Sequence, residues 1–366
     1  MEGRCGLKVV LFTLGGTIAM AGAGGRGDVG GVDPDGGGGA GADGGARGVV
    51  ARLTGAELTA SVAGLGATGV ELDVRDAQAV PSANLTFGQV VSVVQAASRA
   101  VAEGARGVVV TQGTDTLEET SFLADLVWPH EEPLVFTGAM RNPTLAGADG
   151  PANLLASVLT AASDEARGLG ALVVFNDEIH APRWVRKGHS TSTATFVSPN
   201  AGPIGQVVEG RVRVLARPPR RDRVLLEGVL AGVGEGEEAT VSRFDESRVA
   251  LYTVSLDDDG LLLNGIADTH AGLVIAGYGV GHVPSALAPV LGSLAERIPV
   301  VLASRTGAGS VLRHTYGAIG SEVDLQRRGL INAGLLDPYK ARVLLRLLLA
   351  AGAGREEIAK AFDLHG

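Results

Sequence analysis

The hydrophobic positions of this chain fall into short, unbroken, β-branched runs, separated by longer stretches with helical spacing. KVVLFTL (8–14), GVVVTQ (107–112), PLVFTG (133–138), ALVVFND (171–177), RVALYTV (248–254), AGLVIAG (271–277) and IPVVLAS (298–304) read as strands. None of them alternates cleanly between apolar and polar, as expected for strands covered on both faces. Between them, segments 86–103, 116–127, 150–163, 284–296 and 338–350 repeat apolar residues three and four apart and predict helices. Strand and helix in turn is the pattern of an α/β fold with right-handed crossovers. The expected class is therefore α/β: a larger N-terminal doubly wound, mostly parallel sheet domain followed by a smaller C-terminal α/β domain.

Two stretches interrupt the alternation. Residues 21–48 are half glycine, and such a segment cannot repay its ordering entropy by burial, so mobility is expected. Composition leaves two readings open, a tolerated low-complexity insertion or a lid, and its place directly after the first strand favours a lid. Residues 216–245 are rich in Pro, Arg, Gly and Glu and read as an interdomain connection. The expected division is an N-terminal catalytic domain over 1–216, a linker over 217–246 and a C-terminal domain over 247–366.

Composition narrows the partners. A net charge of −9, with Lys and Arg dispersed, argues against nucleic acid. Cys5 is the only cysteine, which rules out an internal disulfide or a cysteine-based metal site. The apolar stretch 341–352 is interrupted by Arg342 and Arg346 and is too short to cross a bilayer. Met1–Gly6 is too short for a secretory leader, so a cytoplasmic protein with no membrane partner is expected.

The candidate chemistry sits where strands end. VLFTLGGTIA (10–19) and VVVTQGTDTLEE (108–119) each run from an apolar strand into a Thr- and Gly-containing turn. Parallel strands deliver such turns to one edge of the sheet, so Thr17 and the Thr114-Asp115 pair are expected to face one crevice. A phosphate site fails on detail, because neither GxxxxGK[ST] nor GxGxxG follows the first strand, and GYGVGH (277–282) lacks the third glycine. A threonine nucleophile needs a base or relay. Asp115 can accept a proton, and a desolvated lysine can serve as a base. Lys187 is one of only four lysines and lies in the polar stretch RWVRKGHSTSTATF. Taken singly, Lys187 equally fits a solvated loop, and Thr114, Asp115 or Thr116 equally fits the cap of the helix that follows.

The motifs together resolve the choice. LGGTIA, QGTDTLEET, FTGAMRNPTLAGADGPANL and KGHSTSTATFVSPNAGPIG occur here in that order, and GYGVGH and DPYKARVLL follow. In order and spacing the chain resembles the bacterial-type L-asparaginases from Val9 to about Leu349. The resemblance implies that Thr17 attacks the amide carbonyl and forms an acyl-enzyme, and that Thr114, Asp115 and Lys187 form a relay. It implies that Asp115 also holds the substrate α-amino group and that Ser82, in PSANLTF, binds the α-carboxylate. It further implies a homotetramer built as a dimer of dimers, with a glutamate reaching each site from the neighbouring subunit. Aligned back from DPYKARVLL that glutamate is Glu322, the reading adopted on chemistry; aligned forward from Ser304-Arg305 the position is Tyr316. His282 stands where an asparagine is found in the family, with either a turn or a substrate-binding role. Ala83 replaces the glutamine that often follows the serine, and residues 18–77 contain no tyrosine, although the family places one in its lid. The expected reaction is hydrolysis of L-asparagine, a small amino-acid amide, to L-aspartate and ammonia without metal or cofactor. The alternatives are a related amidohydrolase on L-glutamine, D-asparagine or another amide, and a non-catalytic amino-acid binder on the same fold.

Overall fold

A computed structural model describes residues 7–15, 18, 20–21, 50–51, 55–60, 62–77, 80–219 and 244–366. Thr17, the expected lid apart from Ala21, and most of the expected linker lie outside these residues.

The large sheet begins with β1 (Leu7–Thr13), whose Val9, Val10 and Leu11 are wholly buried. Two short antiparallel pieces, β2 (Met20–Ala21) and β3 (Val50–Ala51), pair with each other, and a short helix, α1 (Gly55–Ala60), follows. The parallel series continues with β4 (Val70–Asp76), β5 (Gly107–Thr111), β6 (Leu134–Thr137) and β7 (Ala171–Phe175). Three crossover helices join them: α2 (Phe87–Ala102), α3 (Leu117–Val127) and α4 (Gly150–Ala162). β8 (Glu178–His180) turns back antiparallel, and β9 (Arg186–Lys187) pairs with β10 (Phe196–Val197) in a separate ribbon. The hairpin β11 (Gly205–Val208) and β12 (Arg211–Val214) completes the sheet in the order β12-β11-β8-β7-β6-β5-β1-β4.

The second sheet is parallel throughout: β13 (Val249–Thr253), β14 (Gly272–Gly277), β15 (Val300–Ser304) and β16 (Ile331–Asn332), in that order. Its helices are α5 (Ile266–Thr269), α6 (Leu287–Arg297), α7 (Glu322–Arg327), α8 (Pro338–Ala350) and α9 (Arg355–His365). Every strand and helix expected from hydrophobic spacing is present, with ends shifted by up to three residues.

Elements the spacing did not announce lie at the margins. β4, VELDVRD, is an edge strand with charges alternating along it, so it carries no apolar run; exposed edges of this kind discourage unwanted pairing. The β11–β12 hairpin turns at Glu209 (φ 50°) and Gly210 (φ 72°), the left-handed pair that a two-residue hairpin turn requires.

Helices α2 and α3 cover one face of the large sheet, and α4 covers the other. The first of these layers is continuous with the second sheet. One apolar cluster runs from Val91, Phe122 and Leu123 through Val343, Leu344 and Leu347 on α8 to Val274 and Val301. The two halves therefore share a core, and α8 lies directly on α3. At about 25 cal/mol per Å² of apolar surface, such a seam resists opening, and groups contributed from both sides keep a fixed relation.

Candidate active site

The strand order places the site. From β1 the chain passes to β4 on one side and then returns to β5 on the other, so β1 and β5 flank the topological switch point. Crevices at that point, beyond the carboxyl ends of the strands, are where open α/β sheets bind ligands. Leu14 N–H donates to the Thr111 carbonyl (2.8 Å), holding the exit of β1 against that of β5. Gly15 follows at φ 82°, a left-handed conformation that a side chain would strain.

The exit of β4 is drawn to the same place. Ala77 N–H donates to the Thr13 carbonyl (3.1 Å) and Val80 N–H to that of Leu14 (3.3 Å). Ser82, which is buried, follows directly. Its Oγ accepts from Asp115 N–H (3.2 Å), and its carbonyl accepts from the Thr116 hydroxyl (2.9 Å). Thr116 occupies the cap position of α3, yet its side chain makes no capping bond and binds the Ser82 turn instead. Tertiary packing thus overrides the local capping signal.

Gly113 lies between these groups. A Cβ added there would sit 2.5 Å from Ser82 Oγ, so one of the two must shift, and a tight 3.0 Å from Ser82 Cβ. Gly113→Ala is expected to push the 82 and 113–115 turns apart and to lower kcat/KM by about tenfold to a hundredfold. Steady-state ammonia release, read beside an unfolding midpoint, would show whether activity falls further than stability.

Lys187 arrives from far along the chain. On β9, held by Phe196 across the ribbon, it directs Nζ to Thr114 Oγ1 (2.8 Å) and to Asp115 Oδ1 (2.9 Å). Thr114 is buried, the Lys187 side chain is 18% exposed, and that of Asp115 is 66% exposed. The three form a buried hydroxyl, a partly enclosed amine and an open carboxylate in direct contact. Such a set can move a proton and hold an ammonium group.

Behind this trio stands a support absent from any motif assignment. Lys187 N–H donates to Glu118 Oε2 (2.8 Å), in the first turn of α3. Burial raises the pKa of Glu118, against the opposing influence of the Lys340 charge and the Lys187 N–H. Lys340, wholly buried on α8, binds Asp337 (2.7 Å) and the carbonyl of Val185, two residues before Lys187. The C-terminal domain therefore grips the ribbon that delivers Lys187. Glu118 and Lys340 lie inside motifs that carry the resemblance, but their spacing holds no hint of this contact.

The long motif at 136–154 also proves to be scaffold. Asp149 accepts from Met140 N–H (3.0 Å) and Arg141 N–H (2.8 Å), and Asn153 Nδ2 donates to the Gly138 carbonyl (3.0 Å). These bonds pin the turn after β6, the next strand along from β5.

Glu322, Tyr316 and His282 come together in a separate cluster at the end of the second sheet. Glu322 Oε1 accepts from Thr315 N–H (2.9 Å) and Tyr316 N–H (2.7 Å), and Oε2 meets His282 Nε2 (3.2 Å). Burial acts to raise the Glu322 pKa, but the Tyr316, Glu322 and Thr315 N–H groups and His282 outweigh it and hold it below the ordinary carboxylate range. The Glu322 side chain is 0% exposed, whereas Tyr316, packed edge-on to His282 with ring centres 5.0 Å apart, is 49% exposed. Among the described residues, no hydrogen bond or ion pair links this cluster to Thr114, Asp115 or Lys187 of the same chain. Nor do the described residues hold a group of three or more His, Cys, Asp or Glu placed to bind a metal ion.

Comparison with known proteins agrees over most of the chain. Residues 8–220 match the family described as asparaginase, N-terminal, and residues 248–362 match the glutaminase/asparaginase C-terminal domain. A probable L-asparaginase of Deinococcus radiodurans is 37% identical over 266 residues, covering 72% of this chain and 76% of that protein. L-asparaginase 2 of Escherichia coli is 33% identical over 262 residues, covering 71% of this chain and 70% of the relative. Among solved structures, a probable cytoplasmic L-asparaginase from Campylobacter jejuni superposes with a TM-score of 0.79 at 26% identity, covering 98% of this chain and 99% of that one.

Proposed function

The chain belongs to the asparaginase family of amidohydrolases, and from that premise we propose that it hydrolyses L-asparagine to L-aspartate and ammonia through a Thr17 acyl-enzyme. The observation that carries this reading is the contact of Lys187 Nζ with both Thr114 and Asp115 at the switch point beside β1.

In the proposed first step the Thr17 oxygen bonds to the side-chain amide carbon and the C–N bond breaks. The hydroxyl proton passes into the Thr114–Lys187 relay and leaves on the departing ammonia. In the second step water adds to the ester, its proton takes the same route, and Thr17 is restored with aspartate released. The carbonyl oxygen, negative in each tetrahedral intermediate, needs fixed donors; the Thr114 backbone N–H is our candidate. Ser82 would receive the substrate α-carboxylate and Asp115 its α-ammonium group, the latter suited by an open carboxylate.

Glu322, with Tyr316 and His282, is the proposed contribution of a neighbouring subunit in a homotetramer. The domain division at 217–246 and a cytoplasmic location are likewise proposals. The Campylobacter jejuni protein is called cytoplasmic and a Haemophilus influenzae relative periplasmic. Among the described residues no helix is long and apolar enough to cross a membrane.

The direct test is ammonia release from L-asparagine, L-glutamine and D-asparagine. L-asparagine is expected to have the highest kcat/KM. Preference for either of the others would reassign the substrate, and aspartate binding without any ammonia release would leave a binding protein.

A further inference from the structure

Gln112 lies between the end of β5 and Thr114, and it is wholly buried. Its Nε2 donates to the Gly113 carbonyl (3.2 Å) and to Thr120 Oγ1 (3.3 Å). The Thr120 hydroxyl donates in turn to the Thr116 carbonyl (2.8 Å). These partners fix which way the amide faces. A carbonyl only accepts, and the Thr120 proton is already engaged, so both contacts call for the nitrogen. The amide oxygen is then left buried, with no hydrogen-bond partner among the described residues. An unmet buried acceptor is costly, and an apolar residue of the same shape would avoid it. An amide kept at that cost points to a use for the donor it aims at Gly113.

Gly113 is where a fixed donor matters. A Cβ there would press on Ser82, so the position favours glycine, and glycine leaves the peptide that follows it free to rotate. That peptide carries the Thr114 N–H, which donates to no described residue. The next N–H along, of Asp115, is held by Ser82 Oγ (3.2 Å). In a planar trans peptide the C=O and N–H point opposite ways. A grip on the Gly113 carbonyl, itself braced by Thr120 of α3, therefore turns the Thr114 N–H the other way.

We propose that Gln112 is a positioning residue for the reaction. By holding the Gly113 carbonyl, it aims the Thr114 backbone N–H at the oxygen that turns negative in each tetrahedral intermediate. The inference rests on the Thr17 acyl-enzyme reading and names what orients its oxyanion donor. Such a donor contributes most when it is already aimed as the charge develops, because no reorganisation is then needed during the reaction. Gln112 itself touches neither substrate nor reacting atoms, and Thr120 acts only through Gln112.

Gln112→Met keeps the shape of the side chain and removes the donor. Its kcat for ammonia release from L-asparagine is expected to fall by about tenfold to a hundredfold. KM, L-aspartate affinity and the unfolding midpoint should stay near wild type. The unmet amide oxygen disappears as the Gly113 carbonyl loses its donor, so the two effects on stability oppose each other. Thr120→Val, which frees the amide to rotate, should lower kcat less. The double variant should fall no further than Gln112→Met, since both changes act through one donor. Steady-state kinetics, aspartate titration and thermal unfolding of the full chain read all three, with Thr17→Ala beside them. The inference is overturned if Gln112→Met keeps wild-type kcat, if the fall appears in KM or follows the loss of folded protein, or if the two falls multiply in the double variant. Where Gln112→Met does not fold, wild-type kcat in Thr120→Val overturns it. Full turnover in Thr17→Ala would overturn instead the reading beneath it.

Discussion

Thr17→Ala is expected to lower ammonia release from L-asparagine by about 10⁴-fold or more, the scale seen when a covalent nucleophile is removed. The expectation rests on position. The exits of β1, β4 and β5 are tied together by the Leu14, Ala77 and Val80 hydrogen bonds, and Gly15 beyond β1 is left-handed. In the proposed mechanism the Thr17 hydroxyl, which follows β1 in the sequence, acts at the edge that carries Thr114 and Asp115. Aspartate affinity and the unfolding midpoint should stay near wild type, because only one hydroxyl and one methyl group are lost. Thr17→Ser should keep part of the activity. Wild-type turnover in Thr17→Ala would move the nucleophile elsewhere.

The second large effect is expected at Lys187. Lys187→Met keeps the stem of the side chain and the backbone N–H to Glu118, and removes the amine that touches Thr114 and Asp115. Loss of a positioned acid–base group costs about 10²- to 10⁴-fold, and the fall should appear in kcat rather than KM. Stability should change little. The Asp115 side chain is largely exposed, and ion pairs to exposed carboxylates contribute at most about 1 kcal/mol. Lys187→Arg should not restore activity, since a guanidinium neither gives up its proton nor fits a point contact shared by a hydroxyl and a carboxylate. Measuring kcat, KM and the unfolding midpoint for both variants checks all of this. Full activity in Lys187→Met would remove the relay from the mechanism.

Glu118 and Lys340 illustrate how a site depends on residues that perform no chemistry. Glu118 receives the Lys187 N–H, and Lys340 holds the carbonyl of Val185, so the ribbon is fixed from both domains. Both polar groups are buried and paired. Each is therefore tolerable inside the seam, and each would be costly to leave alone.

Much of this organisation was legible in the sequence for a simple reason. Burial on both faces forces an unbroken apolar run, so β1, β5, β6, β7, β13, β14 and β15 each announce themselves within a few residues. The helices announce themselves by the spacing of the face they bury. The turns after β1 and β5 carry Gly and Thr at the ends of strands expected to be parallel, which marked Thr17, Thr114 and Asp115 as candidates. Where an element lies at an edge, as β4 does, no buried face imposes a pattern, and the strand passes unnoticed.

Only the tertiary structure decided which distant groups meet. It brought Lys187 within 2.8 Å of a threonine 73 residues earlier, turned Thr116 from a helix cap into a clasp on Ser82, and enclosed Glu322 while leaving Tyr316 open. Periodicity records which face of each element leaves water, a property of a dozen neighbouring residues. Contact between elements depends on how all those faces close on one another, and no local run of residues contains that information.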